Sequence, residues 1–433
     1  MKIAIKTYGC SANTADTETI TGILTNQGHQ ITTDTEADII IFNSCAVKGP
    51  TENRIINAIK QTPKTKKIII IGCLPKISIE RLKHETHFDG IAGPSIGEGI
   101  IGLVNQVANG EKITTLQQAF QEEKPRLNLP KINTNPVVSI LPINLGCLGS
   151  CSYCAVVFAR GKLRSYSISE IVQRVKADVA VGVYEFWVTS QDTAAYGRDI
   201  GRNLADLLHA ICEVEGDFRV RVGMMTPNLM VDMQSDLIEV YKNPKVFKFL
   251  HFPIQSGDNQ VLEKMRRFYT VEEFKKSVAA FREEFSDLTL ATDVIVGFPG
   301  ETEQAFENTL QVLRKVRPDV TNVSKFFARP RTLAAEIKEG KVSSEEIKQR
   351  SVVAAKLAKQ LSFERNKLWE GWSGKVFVDE AGKMSGTWSG RNFAYKPIVV
   401  KSEQNLLGKI LTVRVVKAME TYLIGELVSQ SVS

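Results

Sequence analysis

Seven cysteines hold most of the chemical promise of this 433-residue chain, and six of them fall into two sets. Cys147, Cys151 and Cys154 lie in NLGCLGSCSYC, a CxxxCxxC cluster. Three thiolates this close in sequence face one centre only if the loop wraps around it, and Gly146 and Gly149 supply backbone freedom for the wrap. Three ligands leave one metal position open, and soft thiolates favour zinc or an iron–sulfur cluster. A structural zinc site would need a fourth ligand nearby, yet Ala155 to Ser165 contain no Cys, His, Asp or Glu. Cys10, Cys45 and Cys73 are scattered, but each ends an apolar run: KIAIKTYGC, DIIIFNSC and KIIIIGC. If these runs are parallel strands, their carboxyl ends share one edge of a sheet, and three cysteines there converge on a second three-thiolate centre. Cys212 differs. In LADLLHAICEV it shares an apolar helical stripe with Leu204, Leu208 and Ile211, which is a core position.

The elements needed to position these groups are legible. Near-continuous Ile and Val without alternation predicts strands buried on both faces, and intervening segments such as Thr14–Gln27 have helical spacing. Strands alternating with helices imply a parallel α/β sheet, so residues 1–110 read as a flavodoxin-like domain. A Pro- and Asn-rich stretch within 111–136 reads as a linker, placed at 111–132. Strand–helix alternation then resumes at Val137–Leu145, Glu185–Thr189, Arg219–Met224, Lys248–Ile254, Thr289–Val296 and Val320–Phe327. Six βα units in residues 133–365 suit a partial (β/α)6 barrel. From 366 to 433 the pattern becomes short β-rich runs broken by Gly, which suits a small antiparallel, OB-like β-barrel.

Composition sets the class. With 43% hydrophobic and 24% charged residues the chain is globular rather than disordered. No apolar run approaches the ~18 residues of a membrane span, and the start has no secretory leader pattern. A soluble, cytoplasmic protein is expected, in which thiols stay reduced and serve as ligands or core residues. The net charge of +7 is uneven: residues 314–433 carry 22 Lys and Arg against 12 Asp and Glu. That end is the expected seat of a polyanionic partner. There Trp372, Phe377, Trp388, Phe393, Tyr395 and Tyr422 intersperse with Lys375, Arg391 and Lys396, a mixture suited to phosphates and splayed bases.

The segments YGCSAN, FNSCAVKGPTEN, IGCLP, LGCLGSCSYC, VTSQDTAAYGRDIG, RVGMMTP, LHFPIQSGDNQVLEKMRRFYT, TDVIVGFPGETE and FFARPRTLAA occur in this order. Together they resemble the radical S-adenosylmethionine methylthiotransferases over essentially the whole chain. The resemblance implies that each cysteine triplet holds a [4Fe–4S] cluster and that the C-terminal barrel is a TRAM domain. It implies that the cluster on Cys147, Cys151 and Cys154 binds S-adenosyl-L-methionine and splits it to methionine and a 5′-deoxyadenosyl radical. The cluster on Cys10, Cys45 and Cys73 would carry the sulfur, which a second S-adenosylmethionine methylates. Tyr153 takes the usual aromatic place beside the adenine, and Ser190, Gln191 and Asp192 occupy the amino-group motif. Arg221, His251, Gln255 and Ser256 lie at predicted carboxyl ends of barrel strands, the functional edge of such folds, and Arg221 and Gln255 are expected to bind the cofactor. Implied partners are tRNA, an electron donor protein of ferredoxin or flavodoxin type, and a sulfur source.

Within the family, TSQDTAAYGRDIG and WSGRNFAYKPIVV are most similar to the archaeal and eukaryotic group acting on N6-threonylcarbamoyladenosine at tRNA position 37. Sister groups act on isopentenyl-adenosine 37 or on a ribosomal protein. Outside the class stands a zinc-thiolate RNA-binding protein.

Overall fold

The Ile-rich runs do form strands buried on both faces. In the computed structural model, which describes residues 1–46, 49–117 and 124–428, they build a five-stranded parallel sheet. Val47 and Lys48 of FNSCAVKGPTEN, residues 118–123 of the expected linker and the last five residues of the C-terminal domain lie outside the described residues. The strands are β1 (Lys2–Thr7), β2 (Gln30–Ile31), β3 (Ile39–Ser44), β4 (Lys67–Gly72) and β5 (Gly90–Ile91). Their order β2-β1-β3-β4-β5 is the flavodoxin-like one. All six residues of β3 are buried, and it pairs Ile39 with Ile3 of β1 and Ile40 with Ile68 of β4. Two apolar layers, one on each face, cover this sheet.

The second region is a half-closed barrel. After β6 (Val138–Pro142), β7 (Asn144–Leu145) pairs antiparallel with β8 (Arg164–Ser165) and brackets the cysteine loop. β9 (Glu185–Thr189) and β10 (Arg219–Val222) complete a parallel sheet in the order β10-β9-β6. β11 (Phe249–His251), β12 (Thr289–Val296) and β13 (Val320–Lys325) form the other half. A single bridge, Val220 to Val246, joins the halves. Among the described residues β6 and β13 do not pair, so the barrel is open along one side. Alternation along the strands sorts the side chains. Phe186, Val188, Val220, Leu250, Leu290 and Val294 point outward into a core shared with the surrounding helices. Trp187, Arg221, Phe249, His251, Asp293 and Asn322 point into the lumen.

The third region is a closed barrel in the order β14-β15-β16-β18-β17, from β14 (Ser373–Ala381), β15 (Thr387–Arg391), β16 (Pro397–Lys401), β17 (Ile410–Ala418) and β18 (Leu423–Leu427). Val376, Val378, Ile398, Val400, Leu411, Val413 and Leu423 fill it. This domain docks on the amino-terminal ends of the larger barrel's strands. The Tyr184 and Phe377 rings stack 3.7 Å apart, the Phe393 carbonyl accepts the Lys248 N–H at 2.8 Å, and Tyr395 packs on Phe247 and Phe249.

That docking corrects two expectations. Lys396 does not face RNA: it is 2% exposed, and its Nζ lies 2.7 Å from Asp319 and 2.9 Å from Asn366. Arg391 is held by Asp379 at 3.0 Å and Glu380 at 2.9 Å, with its guanidinium over Tyr395. Both charges are consumed in the interdomain seam, together with Phe377 and Tyr395. Lys375 stays exposed.

Lys396→Met leaves the Asp319 carboxylate buried with Arg365 as its remaining ion-pair partner. Breaking a buried pair this way costs about 3–5 kcal/mol, read as a lower midpoint in denaturant. The pair also has a defined pH dependence. Burial by itself would raise the Asp319 pKa, but Lys396 and Arg365 outweigh it and hold the carboxyl below its usual value. Its stabilisation is therefore complete above the unfolded pKa, about 3.9, and is lost as the pH falls through the lower folded value. An acid titration of stability in the wild type, absent in Asp319→Asn, checks the sign.

Candidate functional site

Strand order brings Cys10, Cys45 and Cys73 together. Cys10 lies shortly beyond β1, Cys45 directly follows β3, and Cys73 directly follows β4, at the carboxyl edge of three adjacent strands. A buried amide network ties the loops: Asn13 Nδ2 donates to Asn43 Oδ1 at 3.0 Å and to the Ser44 carbonyl at 3.1 Å, while Asn43 Nδ2 donates to the Asn13 carbonyl at 2.7 Å. Cys10 Sγ lies 3.5 Å from Asn13 Oδ1. Gly9, at φ 126°, lets the first loop close over the second, since a Cβ there would stand 2.7 Å from Cys45 Cβ. Burial pushes the Cys73 thiol up to about 11, and the neighbouring Cys45 and Cys10 add to the rise.

Cys147, Cys151 and Cys154 sit on a loop between β7 and the helix Val156–Arg160. The loop is pinned from the far side of the barrel. Ser152 N–H donates to the Met265 carbonyl at 3.0 Å, Ser152 Oγ donates to the Lys264 carbonyl at 2.7 Å, and the Ser152 carbonyl accepts from Ala334 N–H at 2.8 Å. A Cβ on Gly149 would stand 3.2 Å from Cys147 Sγ and 3.7 Å from Cys151 Sγ, so the concave side of the loop is kept for sulfur. Burial pushes Cys147 up to about 11 and Cys154 up to about 12, with Cys151 adding to both. At neutral pH these are thiols until a cation takes the place of the proton.

The segments that carry the two triads meet across the domain boundary. Ser11, next to Cys10, hydrogen-bonds Thr189, the last residue of β9, at 2.8 Å. The helix Val156–Arg160 begins two residues after Cys154 and packs on the helix Cys73–Ile77. Its Ala155 and Ala159 flank join the core of the first domain with Cys73 itself. Arg160 then crosses the boundary, 2.8 Å from Asp16, and its charge is felt by Cys73 and Cys10. The second triad has its own arginine, Arg267, whose Nη1 donates to Cys151 Sγ at 3.2 Å and whose Nη2 is buried without a partner. Sequence reasoning missed both arginines, because neither contact is local and only the FARG and MRRFYT segments held a hint of them.

Other expected residues divide. Tyr153 leaves the thiol loop edge-on to Phe298, with centroids 6.4 Å apart. Among the described residues Gln191 Oε1 is buried without a hydrogen-bond partner, and Gln255 sits at φ 66°. Ser190 Oγ accepts the Asp192 N–H at 3.1 Å. Asp192 is a brace as well as a candidate contact: its Oδ1 accepts the N–H groups of Ala194 and Thr226, both at 3.1 Å. Arg221 sits below the carboxyl edge rather than on it, among the Trp187, Phe249 and Tyr395 rings. His251 Nε2 pairs with Asp293 at 2.7 Å, within the lumen. Cys212 packs against the main core, away from both triads.

The donor sets suit iron–sulfur clusters. Among the described residues no three His, Cys, Asp or Glu side chains close around a single-ion position. A cubane asks for a wider triangle, since each thiolate takes its own iron. The hollow at Gly149, with Cys147 Sγ and Cys151 Sγ beside it, is such a cradle.

Comparison with known proteins agrees with this geometry. Three family models match: the Radical SAM superfamily over residues 141–313, Uncharacterized protein family UPF0004 over 2–93, and the TRAM domain over 375–428. Among solved structures, the radical S-adenosylmethionine methyltransferase TsrM from Kitasatospora setae, with cobalamin and a [4Fe-4S] cluster bound, aligns with a TM-score of 0.56. That alignment covers 93% of this chain and 82% of TsrM at 14% identity, a likeness of fold. The probable threonylcarbamoyladenosine tRNA methylthiotransferase of Pyrococcus horikoshii is 40% identical over 99% of this chain and 100% of its own. The Homo sapiens threonylcarbamoyladenosine tRNA methylthiotransferase is 34% identical over 99% of this chain and 74% of its own. With its cysteine loop inside a radical SAM domain and this likeness along its full length, the chain belongs to the threonylcarbamoyladenosine tRNA methylthiotransferase family of radical SAM enzymes.

Proposed function

We propose that this protein converts the C2–H of N6-threonylcarbamoyladenosine at position 37 of tRNA to C2–SCH3. The reading uses two [4Fe–4S] clusters, one held by Cys10, Cys45 and Cys73 and one by Cys147, Cys151 and Cys154. S-adenosyl-L-methionine serves as methyl donor and as radical source. The observation that carries it is the meeting of the segments that carry the two triads, through Ser11–Thr189 and the helix Val156–Arg160. When bound, the clusters supply the electron that splits S-adenosylmethionine and the sulfur to be installed.

The chain's own residues do the rest. Tyr153, Ser190, Gln191, Asp192 and Gln255 are the residues this reading assigns to the cofactor beside the Cys147 loop, and among the described residues Gln191 Oε1 is buried without a hydrogen-bond partner. Arg267 places a cation on Cys151 without a carboxylate partner, whereas Arg160 reaches the first triad already neutralised by Asp16. A cation beside a thiolate ligand favours the more negative, reduced state of a centre. The arrangement therefore gives the two centres different fields. Lys375 and the exposed basic face of the C-terminal domain attract the RNA backbone. An electron donor protein and a sulfur source complete the cycle, and a cytoplasmic setting follows from the tRNA substrate. No helix of the described residues is long and apolar enough to cross a membrane.

Mass spectrometry of tRNA nucleosides from a deletion strain tests the substrate. The expected result is loss of 2-methylthio-N6-threonylcarbamoyladenosine with accumulation of its unthiolated precursor. Persistence of the thiolated form, or loss of a thiolated isopentenyl-adenosine instead, rejects the assignment.

A further inference from the structure

The lumen between the triads and the C-terminal domain contains an arginine, Arg221, whose Nε is buried without a hydrogen-bond partner among the described residues. Arg221 stands on the same layer as Trp187, two residues below the end of β9, or about 7 Å at ~3.3 Å per residue. Its guanidinium lies 5.6 Å from the Trp187 ring, 4.9 Å from Phe249 and 5.3 Å from Tyr395. No hydrogen bond or ion pair engages it among the described residues, and its Nε is buried without a partner. The nearby Glu185 carboxylate acts on it through space: its Oε1 accepts the Trp187 Nε1–H, and its Oε2 is buried without a hydrogen-bond partner among the described residues. Five N–H donors in a fixed fork, faced by rings that accept none of them in plane, are a vacancy for a planar anion.

Three further features surround it. One layer higher, Asn322 Nδ2 donates to Asp293 Oδ1 at 2.9 Å and His251 Nε2 meets Asp293 Oδ2 at 2.7 Å, a polar chain across the lumen wall. A separate cleft of about 550 Å³, of which Arg221 is not a lining residue, runs past the edge strand β13 and shares Phe249, Asn322 and Tyr395 with this region. Thr289 and Thr321 also line that cleft, and both hydroxyls are buried without partners. Tyr395, from the third domain, enters at φ 61°, a left-handed conformation that a tyrosine adopts only where its surroundings hold it.

We propose that this layer reads the amino-acid substituent on the base: Arg221 takes its carboxylate against the Trp187–Phe249–Tyr395 rings, and the Asn322–Asp293–His251 chain takes its hydroxyl and urea groups. The proposal rests on the tRNA reading above. A threonine joined to N6 through its amine retains exactly one free carboxylate and one hydroxyl. C2 and N6 leave the ring on opposite sides of N1, so a base with C2 at the triads sends the substituent away from them, into the lumen. The C-terminal domain thereby serves specificity through Tyr395 as well as holding RNA.

The test is binding of a synthetic anticodon stem-loop to the anaerobically reconstituted protein, with position 37 as threonylcarbamoyladenosine, as its threonyl methyl ester, or as adenosine. Wild type is expected to prefer the free acid over both others by at least tenfold. In Arg221→Met the preference for the acid over the ester disappears, and in Arg221→Lys it is partly restored, with iron content and melting midpoint unchanged. Equal binding of acid and ester by wild type overturns the proposal without using any variant, and so does a folded Arg221→Met that keeps the preference. The deletion-strain nucleosides judge the tRNA reading separately, so failure of the one is distinguishable from failure of the other.

Discussion

Cys10→Ala is expected to abolish the methylthio product while S-adenosylmethionine is still cleaved to 5′-deoxyadenosine. Cys10 is the exposed member of its triad, three residues beyond β1 and next to Ser11, which hydrogen-bonds Thr189 of the barrel. Losing it leaves Cys45 and Cys73, two thiols where the proposed cluster needs three. Outer partners of a metal ligand already matter by roughly 10–100-fold, so a ligand itself sets a floor of about 10² on the loss of product. The CxxxCxxC loop is pinned by Lys264, Met265 and Ala334, none of which touches Cys10. Cleavage should therefore persist, and iron should fall from ~8 to ~4 per chain. Retention of the thiolated nucleoside in this variant would mean that the first triad does not carry the sulfur.

Cys151→Ala is expected to have the opposite partition: no cleavage of S-adenosylmethionine, no product, and iron again near 4 per chain from the first triad. Cys151 is the thiol that Arg267 contacts and the one whose charge raises both Cys147 and Cys154. Its removal takes away a ligand and strands the Arg267 cation in a buried site. Both effects fall on the step that starts the chemistry, so no downstream activity survives. Cys212→Ser provides the contrast, since that thiol packs on the main core away from either triad; iron content and both activities should match wild type. Mössbauer or iron analysis beside product mass spectrometry separates the three variants. Zinc in place of iron in the wild type would reject the radical reading altogether.

Much of this was legible in the residues. The runs before Cys10, Cys45 and Cys73 are apolar without alternation, and only a strand covered on both faces tolerates that; their parallel arrangement then forces the three thiols to one edge. The barrel strands were placed within a few residues, with Glu185–Thr189 and Thr289–Val296 matching at both ends. The basic C-terminal domain misled in one respect. Net charge says how many cations a segment has but not which way they face. Lys396 and Arg391 turned inward because Asp319, far away in sequence, and Asp379 offered buried carboxylates at the seam. Asp192 likewise shows how a motif position can be a structural brace, since one of its partners, the Thr226 N–H, comes from the next strand's loop.

The sequence alone thus determined the local chemistry: six soft ligands, strands that must be parallel and buried, and an ordered set of segments that identifies the family. Those features depend on residue type and short spacing, which the chain carries with it. The tertiary structure decided what depends on contacts between distant segments. It joined the segments that carry the two triads through Ser11, Thr189 and Arg160, and gave Arg267 to Cys151. It also brought Tyr395 of the third domain to the second, with its ring 5.3 Å from the Arg221 guanidinium. Such positions follow from how three domains pack, and packing is a property of surfaces that form only once each domain has folded.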